Sequence, residues 1–269
     1  MADEPILRFD HVTVSFDSTP ALQDVSFEAR AGESRVIMGA ASSGKTVLLK
    51  AALGLVKPDA GKVLAFGRDL TVMRERDLFE TRSRIGMLFQ ESALFDSLTI
   101  EENVAYPLVN QKSIQCPKSE VHSRVEQALE FVELGGTLRK FPSELSGGMR
   151  RRAAIARAVV TEPPLVLYDS PTAGLDPITA HTIIALLIKE RDVSHTTTLM
   201  VTHRYQDGNL MANFRYNSKQ GGLEPAHNGA QAQTVFMVMR DGRLIFEGDQ
   251  DRLEASDDPY IRKFVKARE

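Results

Sequence analysis

The residues GAASSGKT at positions 39–46 constrain the fold of this chain more than any other stretch. They match the pattern G-x-x-x-x-G-K-[ST], and they lie between an apolar run, ESRVIM, and a helix-like run, TVLLKAAL. In this context the backbone N–H groups of the loop and of the following helix converge on an anion. Lys45 brings a positive charge to the β- and γ-phosphates, and the Thr46 hydroxyl can ligate Mg²⁺. The alternative is a chance Lys-Thr pair in a flexible turn, and both flanks argue against it, so we predict binding of a nucleoside triphosphate.

Composition narrows the class of protein. The chain has 269 residues, 42% of them hydrophobic and 26% charged, which is typical of a globular protein with an ample core. A net charge of -3 gives no overall attraction to nucleic acid or to anionic lipid. The single cysteine, Cys116, excludes a disulfide within the chain and suits a reducing compartment. Signal-peptide and membrane-span patterns are missing, so we expect an intracellular protein that meets a membrane only through a partner.

Short strands and helical runs alternate along the chain and predict an α/β fold. PPLVLYD and TTLMVTH are nearly continuous apolar runs, as in parallel strands that are covered on both faces, and the helical run ITAHTIIALLIKERD separates them. ILRFDHVTVSF and ALQDVSFEA predict an antiparallel pair near the start of the chain. From about 92 to 160 the pattern is helical, with Val121, Val125, Leu129 and Val132 on one face of a helix.

Residues 204–234 interrupt this alternation, because they are polar, rich in Gly, Asn and Gln, and poor in aliphatic side chains. We predict an insertion there, a strand–loop arm with a mobile middle that contacts a partner or an opposite subunit. The following residues, TVFMVMRDGRLIFEGD, predict a hairpin that turns at Asp241-Gly242. The last segment, DQDRLEASDDPYIRKFVKARE, predicts short helical pieces.

A second helix start that could receive phosphate lies at residues 145–149, LSGGM. Its glycines precede the run RRRAAIARAV, and Ser146 offers a hydroxyl at the helix N-terminus. Since one nucleotide needs only one such loop, the second is explained if it covers a nucleotide held by another subunit. Residues 150–152, all arginine, predict a solvated helix face, with contact to phosphate or to the helix dipole as the alternative.

LSGGM at this position resembles the signature of ABC-type ATPases, and further motifs follow in that family's order. The resemblance covers residues 5–203 and 235–250. It implies that Phe16 stacks on adenine and that Gln90, in GMLFQESALF, senses the γ-phosphate and contacts a membrane partner. Taken alone, Phe16 is as easily a core residue and Gln90 an ordinary strand-end glutamine. The order of the motifs carries the inference.

Three further positions follow the same family pattern. The resemblance implies that Asp169, at the end of LVLYD, orients Mg²⁺ through water, and that Asp176, at the end of AGLD, belongs to the loop near the opposite subunit. It also implies that His203, in LMVTHR, is the switch histidine, although a lone histidine at a strand end is more often structural.

The resemblance implies one ABC ATPase domain over residues 1–269, with a RecA-like P-loop core, an antiparallel β subdomain and an inserted α-helical signature subdomain. The expected parts are the core with the β subdomain at 1–90 and 157–203, the helical subdomain at 91–156, the insertion at 204–234, the hairpin at 235–249 and the tail at 250–269. The expected nucleotide contacts are Phe16, Gly39, Ala40, Ala41, Ser42, Ser43, Gly44, Lys45, Thr46, Val47, Ser146, Gly147, Gly148 and Asp176. The expected catalytic residues are Lys45, Gln90, Asp169, Ser170 and His203, with Thr46, Gln90 and Asp169 at the metal.

The resemblance also implies an assembly. Two copies of the chain would hold ATP and Mg²⁺ between them as a homodimer, and closure and reopening would pass through the region of Gln90 to a permease in the cell membrane. The sequences FDSLT, in ALFDSLTIEENVAYPL, and LDPITA resemble the corresponding segments of ATPases of the Mce/Mla-type lipid-transport systems. This subfamily implies phospholipid transport across the envelope, an Mce-type substrate-binding partner and a peripheral place on the cytoplasmic side of the inner membrane. A non-transport ATPase that acts on DNA or ribosomes is the rival, and the weak charge and single cassette argue against nucleic acid.

Two departures from the family pattern bear on activity. Ala41 and Ser42 stand where the family usually has Ser and Gly, so we expect ATP binding provided that Ser42 avoids a positive φ. Ser170 stands where the family has the glutamate that polarises the attacking water. A serine hydroxyl takes no proton at neutral pH without a partner base, and loss of a general base typically slows a reaction by about 10²- to 10⁴-fold.

Three accounts of Ser170 stay open. Another group, His203 or Glu91, could act as the base while Ser170 holds the water. Hydrolysis could be slow and still real, because phosphoryl transfer depends mainly on positioning and on charge stabilisation. The chain could also be an ATP-gated clamp, a regulatory subunit that closes on ATP and hardly turns it over.

Overall fold

The order of strands and helices follows the alternation of the sequence, and the computed structural model describes residues 4–226 and 234–266. The strands are β1 (Leu7–Phe16), β2 (Thr19–Ala29), β3 (Ser34–Met38), β4 (Ala60–Ala65), β5 (Arg68–Asp69), β6 (Ile85–Leu88), β7 (Leu165–Asp169), β8 (Thr197–Thr202), β9 (Phe214–Asn217), β10 (Gly222–Pro225), β11 (Thr234–Arg240) and β12 (Arg243–Gly248). The helices are α1 (Lys45–Ala52), α2 (Glu75–Arg82), α3 (Ile100–Asn110), α4 (Lys118–Phe131), α5 (Gly147–Val159), α6 (Pro177–Ser194), α7 (Tyr205–Asn213), α8 (Gln250–Glu254) and α9 (Pro259–Lys266). In these ranges no helix is long and apolar enough to cross a membrane.

A six-stranded sheet in the order β12-β11-β3-β8-β7-β6 forms the centre of the fold. Strands β11, β3, β8, β7 and β6 are parallel to one another, and β12 pairs antiparallel with β11. Every residue of β3, β7 and β8 is buried, because helices or the second sheet cover both faces. The predicted parallel pair is confirmed: β7 and β8 are joined by α6, with Leu165 opposite Thr197.

The second sheet is antiparallel, with the order β2-β1-β4-β5. It contains the pair predicted from the first strands, in which Phe9 and Phe27 face each other with ring centroids 4.8 Å apart. Its apolar face packs over α1 in one buried cluster that includes Leu48 and Leu49. The helix that follows the phosphate loop is therefore fixed by side chains from both sheets.

Helices α3, α4 and α5 pack together at the far side of β6. The predicted apolar face of α4 is confirmed, since Val125, Leu129 and Val132 are buried and Val121 packs against them. A capping box, Thr99 with Glu102, starts α3 and holds its first turn. The chain thus has the predicted fold class, an α/β P-loop core with an antiparallel β sheet and an α-helical region, while the predicted domain boundaries stay a prediction.

The polar segment 204–234 differs from the prediction in its first part, which is the helix α7. Sequence composition concealed this helix because its buried face is small: Tyr205, Asp207, Gly208 and Met211. Gly208 permits the close approach, since a Cβ there would lie 2.6 Å from the ring of Phe236 on β11. The predicted arm is the antiparallel hairpin β9–β10, and residues 227–233 lie outside the described residues.

The segment after the insertion has the hairpin and the short helices that the sequence predicts. Strands β11 and β12 turn at Asp241 and Gly242, whose φ values of 50° and 76° suit a two-residue hairpin turn. The short helices α8 and α9 follow.

Helix α2 was not predicted, because its sequence has few apolar residues and buries only Leu78 and Thr81.

Candidate nucleotide site

The phosphate loop leaves the carboxyl end of β3, at the centre of the parallel sheet, and enters α1. This edge is where ligands bind in open α/β sheets. Gly44 precedes the helix with φ of 99°, and a Cβ there would lie 2.4 Å from the carbonyl oxygen of Ala21. A Cβ on Gly39 would lie 2.5 Å from the carbonyl oxygen of Met239. Both glycines are therefore required by neighbouring backbone, which fixes the path of the loop.

Lys45 is folded onto its own loop. Its ammonium donates hydrogen bonds to the carbonyl oxygens of Gly39 at 2.9 Å and Ala40 at 2.7 Å, and to the hydroxyl of Ser43 at 3.1 Å. Burial lowers the pKa of Lys45, and the charge of Asp169 opposes this shift. The ammonium is thus held at the start of the loop by three acceptors that hold its charge close to the predicted phosphate position.

The condition placed on Ser42 is not met, because Ser42 has φ of 63°. This is the left-handed region, where glycine costs least and other residues are strained by about 1–3 kcal/mol. The condition that Ser42 avoids a positive φ therefore fails, because the backbone of the loop passes through the left-handed region at this residue.

Thr46 and Asp169 bring oxygen atoms together at the carboxyl edge of β3 and β7. The Thr46 hydroxyl donates to Oδ2 of Asp169 at 3.0 Å, and Asp169 is buried. A hydroxyl beside a carboxylate is a donor set of hard oxygens, which suits Mg²⁺ completed by phosphate and water. The residues present therefore fit the predicted metal.

Ser170 follows Asp169 in a left-handed conformation, with φ of 49°. Its hydroxyl donates to Oδ1 of Asp169 at 3.2 Å, and its backbone N–H donates to the carbonyl oxygen of Val201 at 2.9 Å. The hydroxyl therefore serves as a donor to the acidic residue at the predicted metal position.

His203 lies directly after β8, the strand next to β7, and its side chain is exposed. Behind it is a buried acid that sequence reasoning missed, Asp207 on α7. The Asp207 carboxylate accepts hydrogen bonds from Thr172 at 2.6 Å and Thr202 at 2.8 Å, and Arg204 lies 3.6 Å away. Burial raises the pKa of Asp207, while these hydrogen bonds and the charges of Arg204 and His203 act in the other direction. The acid thus ties the loop after Ser170 to the residue that precedes His203.

Gln90 is exposed beside a cavity of about 370 Å³ that also meets the signature helix and the loop after β7. Arg151 holds this junction together. Its guanidinium donates to the carbonyl oxygens of Phe89 at 3.1 Å, of Gln90, and of Ala173 at 3.4 Å. Burial lowers the pKa of Arg151, and Glu91 and Asp169 oppose the shift.

The predicted solvated face of arginines at residues 150–152 was therefore wrong in part. Arg150 is exposed, whereas Arg151 is buried and Arg152 donates to the carbonyl oxygens of Val132 and Glu133 at 3.3 Å. This side of the helix faces the ends of neighbouring elements, whose backbone carbonyls accept hydrogen bonds from the arginines. Sequence periodicity does not reveal such neighbours.

The signature residues begin α5. The Ser146 hydroxyl accepts from the backbone N–H of Met149 at 3.3 Å, so Ser146 is the N-cap, and it is exposed together with Gly147. Gly148 is the point of close contact, since a Cβ there would lie 2.6 Å from Cγ2 of Thr179 on α6. The start of the signature helix is thus open to an approaching anion.

Asp176 caps the neighbouring helix α6. Its carboxylate accepts from the backbone N–H groups of Ile178 at 3.1 Å and Thr179 at 3.0 Å, and from the Thr179 hydroxyl at 2.6 Å. These hydrogen bonds, the Thr179 hydroxyl first, hold the pKa of Asp176 below its usual range. Asp176 is therefore anchored at the same helix junction as Gly148.

Phe16 ends β1, and 49% of its surface is exposed. This exposure rules out the alternative of a core phenylalanine and leaves the ring available to a planar ligand.

Two loops that can receive phosphate, on one α/β scaffold, define this chain as a nucleotide-binding cassette. The family model described as ABC transporter matches residues 22–173. The chain belongs to this family, as an ATP-binding ATPase subunit.

Relatives agree along most of the chain. The probable ribonucleotide transport ATP-binding protein mkl of Mycobacterium leprae is 34% identical, over 96% of this chain and 67% of its own length. The intermembrane phospholipid transport system ATP-binding protein MlaF of Escherichia coli K12 is 34% identical, over 90% of this chain and 81% of its own. The MlaF of Haemophilus influenzae is 32% identical, over 98% and 91%.

Solved structures agree on the fold. The dimeric ATP-binding cassette MJ0796 in a post-hydrolysis state, bound to ADP and Pi, superposes with a TM-score of 0.75 at 28% identity, covering 90% of this chain and 98% of that one. The cassette cbiO1 from Clostridium perfringens superposes with a TM-score of 0.77 at 26% identity, covering 98% and 96%.

Proposed function

We propose that this chain dimerises around ATP and drives a permease that moves phospholipid across a bacterial envelope, from a peripheral position on the inner membrane. The observation that carries the proposal is the contact between Thr46 and Asp169 beside the phosphate loop, since it joins the two elements that a Mg²⁺-nucleotide needs. The names of the relatives support the lipid, because two of them are phospholipid transport ATP-binding proteins.

Nucleotide binding uses the loop, one cation and one ring. The phosphate loop surrounds the phosphates with backbone N–H groups, and Lys45, held beside the loop by the carbonyls of Gly39 and Ala40, brings its charge to the β- and γ-phosphates. Thr46 and Asp169 would hold Mg²⁺, and the exposed Gln90 would contribute to the same site. Bound Mg²⁺ neutralises charge on the phosphates. Phe16 stacks on the adenine.

Dimerisation follows from the exposed start of α5. Ser146 and Gly147 present a capped helix N-terminus to solvent, and a γ-phosphate held by a second copy satisfies it. The capped loop ending at Asp176 lies at the same junction and lines the opposite subunit's site. A dimeric relative fold in the ADP and Pi state supports this arrangement.

Hydrolysis is slow in this proposal, because Ser170 does not supply a carboxylate base. The Ser170 hydroxyl, already a donor toward Asp169, orients the water, and His203 or Glu91 takes the proton. The rest of the rate comes from positioning and from charge stabilisation by Lys45 and the metal. Asp207 helps by joining the loop after β7 to the end of β8, the strand that His203 follows.

The permease contact lies next to Gln90. A cavity of about 390 Å³ opens between β6 and α3, with Phe89, Phe95 and Tyr106 in its wall. Arg157 lies over the Phe95 ring at 5.8 Å and also donates to the carbonyl oxygens of Ser92 and Ala93. An aromatic groove with one cation suits a short helix from a membrane partner, and its wall includes Phe89, the residue directly before Gln90.

Phosphate release from the purified dimer tests the catalytic part. We expect a low wild-type rate that is lost in Lys45→Ala and rises by about 10²-fold or more in Ser170→Glu, the gain expected from a restored general base. If wild type equals Lys45→Ala while Ser170→Glu is active, the chain is an ATP-gated regulatory clamp instead of an ATPase.

Co-purification tests the transport part. A tagged chain is isolated from detergent-solubilised membranes, and bound macromolecules are identified. A membrane permease together with an Mce-type protein supports the proposal. Recovery of nucleic acid or ribosomes without a membrane protein would favour the non-transport rival.

A further inference from the structure

The C-terminal helix α9 touches the phosphate loop through one hydroxyl. The backbone N–H of Ala40 donates to the Tyr260 hydroxyl at 2.9 Å, and that hydroxyl donates to the carbonyl oxygen of Met239 at 3.1 Å. The Met239 carbonyl is also the group that leaves no room for a side chain at Gly39. Tyr260 therefore joins the end of β11 to the first residues of the loop, across 220 residues of sequence.

The peptide that Tyr260 holds is also the one that holds Lys45. The N–H of Ala40 and the carbonyl of Gly39 belong to the same planar peptide unit. Tyr260 takes its hydrogen at one end, and the Lys45 ammonium bonds the carbonyl oxygen at the other, at 2.9 Å. Rotation of this peptide would break both contacts, so the hydroxyl on α9 sets the direction of a carbonyl that positions the cation.

The tyrosine itself is held in place by its neighbours. The Arg240 guanidinium lies over its ring at 5.5 Å, and the ring of Phe264 packs edge-on at 5.2 Å. The Asp258 carboxylate accepts from the Tyr260 backbone N–H at 2.7 Å and pairs with Arg240 at 3.6 Å. The side chain is thus fixed independently of the loop and can act as a support for it.

We propose that Tyr260 is a positioning residue for ATP binding, which preorganises the Gly39–Ala40 peptide and, through it, Lys45. With the hydroxyl present, the loop has its binding shape before the nucleotide arrives. Without it, part of the binding free energy is spent on ordering that peptide, and affinity falls.

Equilibrium binding of a fluorescent ATP analogue to the full chain tests this proposal. Tyr260→Phe keeps the ring and its neighbours and removes only the hydroxyl. We expect its Kd to rise by about three- to tenfold, as for loss of one neutral hydrogen bond. The matched control is Ile261→Val, which loosens the buried face of α9 and keeps the hydroxyl and the neighbours of its ring, and we expect its Kd to stay within about twofold of wild type. Because the readout is binding, the result does not depend on whether Ser170 supports turnover.

A double-mutant cycle separates positioning of Lys45 from a general loss of structure. If the hydroxyl acts through Lys45, Tyr260→Phe has a smaller effect on Kd in the Lys45→Ala background, measured by competition at millimolar ATP. An unchanged Kd in Tyr260→Phe, an equal loss in Ile261→Val, or a full effect in both backgrounds would each overturn the proposal.

Discussion

Two of the three residues that depart from the family pattern, Ser42 and Ser170, share a backbone conformation. Both lie in the left-handed region, with φ of 63° and 49°. At Ser42 a residue with a side chain occupies a conformation that glycine adopts more easily, so the loop is strained there. At Ser170 the side chain is short, and its hydroxyl donates to the neighbouring Asp169. Compared with the glutamate of the family pattern, Ser170 lacks the carboxylate. We therefore expect one departure to act on stability and the other on catalysis.

Ser42→Gly should stabilise the free protein. Relief of the left-handed strain exceeds the extra chain entropy of Gly, so we expect the free energy of unfolding to rise by about 0.5–1 kcal/mol. Urea denaturation measures it. Ser43→Gly is the control, since Ser43 is outside the positive-φ set and accepts from Lys45, so its replacement should lower stability. A lower stability for Ser42→Gly would show that the turn is not strained.

At the scale of elements, α5 connects three parts of the site. Its first turn presents Ser146, and its Arg151 grips the chain at Gln90 and at Ala173. The segments that follow β6 and β7 are thus tied to the signature helix by one guanidinium. The sequence predicted the helix but not the contacts of Arg151. Which face of a helix meets the carbonyls of other elements depends on tertiary packing.

Arg151→Met should weaken this junction. The change leaves carbonyl oxygens without their charged donor, so we expect a loss of about 1–3 kcal/mol in the free energy of unfolding. Arg150→Met is a matched control on the same helix: Arg150 is exposed and bonds only the adjacent Leu145 carbonyl among the described residues. Urea unfolding of the pair decides the matter, and equal losses would mean that the contacts of Arg151 are not special.

Gly208→Ala should destabilise α7 despite the better helix propensity of Ala. Its Cβ would lie 2.6 Å from the Phe236 ring and 3.0 Å from Cγ1 of Val36, so the helix must shift. We expect a loss of about 1–3 kcal/mol, as for other overpacked sites. Gly147→Ala, which meets nothing within 4 Å, serves as the comparison in thermal unfolding. A stabilised Gly208→Ala variant would contradict the tight packing of α7 on β11.

At the scale of the whole molecule, local patterns identified what lies close in sequence. The strands β7 and β8 were predictable because both faces are covered and their runs are continuously apolar. The phosphate loop was predictable because its residues are consecutive. The contact between Tyr260 and Ala40 was not, since it joins distant segments and leaves no periodic signal. Asp207 escaped for a related reason: its partners, Thr172 and Thr202, come from two different strand ends.

The hairpin β9–β10 lies at the far end of α6 from the nucleotide. Its neighbours there are Arg191 and Asp192: Arg191 donates to the carbonyl oxygen of Phe214 at 2.8 Å, and Asp192 accepts from the backbone N–H of Tyr216 at 2.7 Å. Asp176 starts the same helix, roughly 24 Å from Asp192 at 1.5 Å per residue. The hairpin β9–β10 thus lies well away from the predicted phosphate position, and a partner contact of the insertion stays a prediction.

Replacing residues 215–232 by a short Gly-Ser linker tests that placement. The ends of the segment are close, since the Thr234 hydroxyl donates to the Met211 carbonyl oxygen at 3.4 Å, so a short linker can join them. We expect the Kd for ATP to change by less than about twofold, because the replacement leaves the phosphate loop intact. If the insertion contacts a partner, the amount of permease that co-purifies should fall. The matched control is Tyr216→Phe, which keeps the hairpin. An unchanged assembly and an unchanged phosphate release rate would contradict a role for the insertion in contacts with other chains.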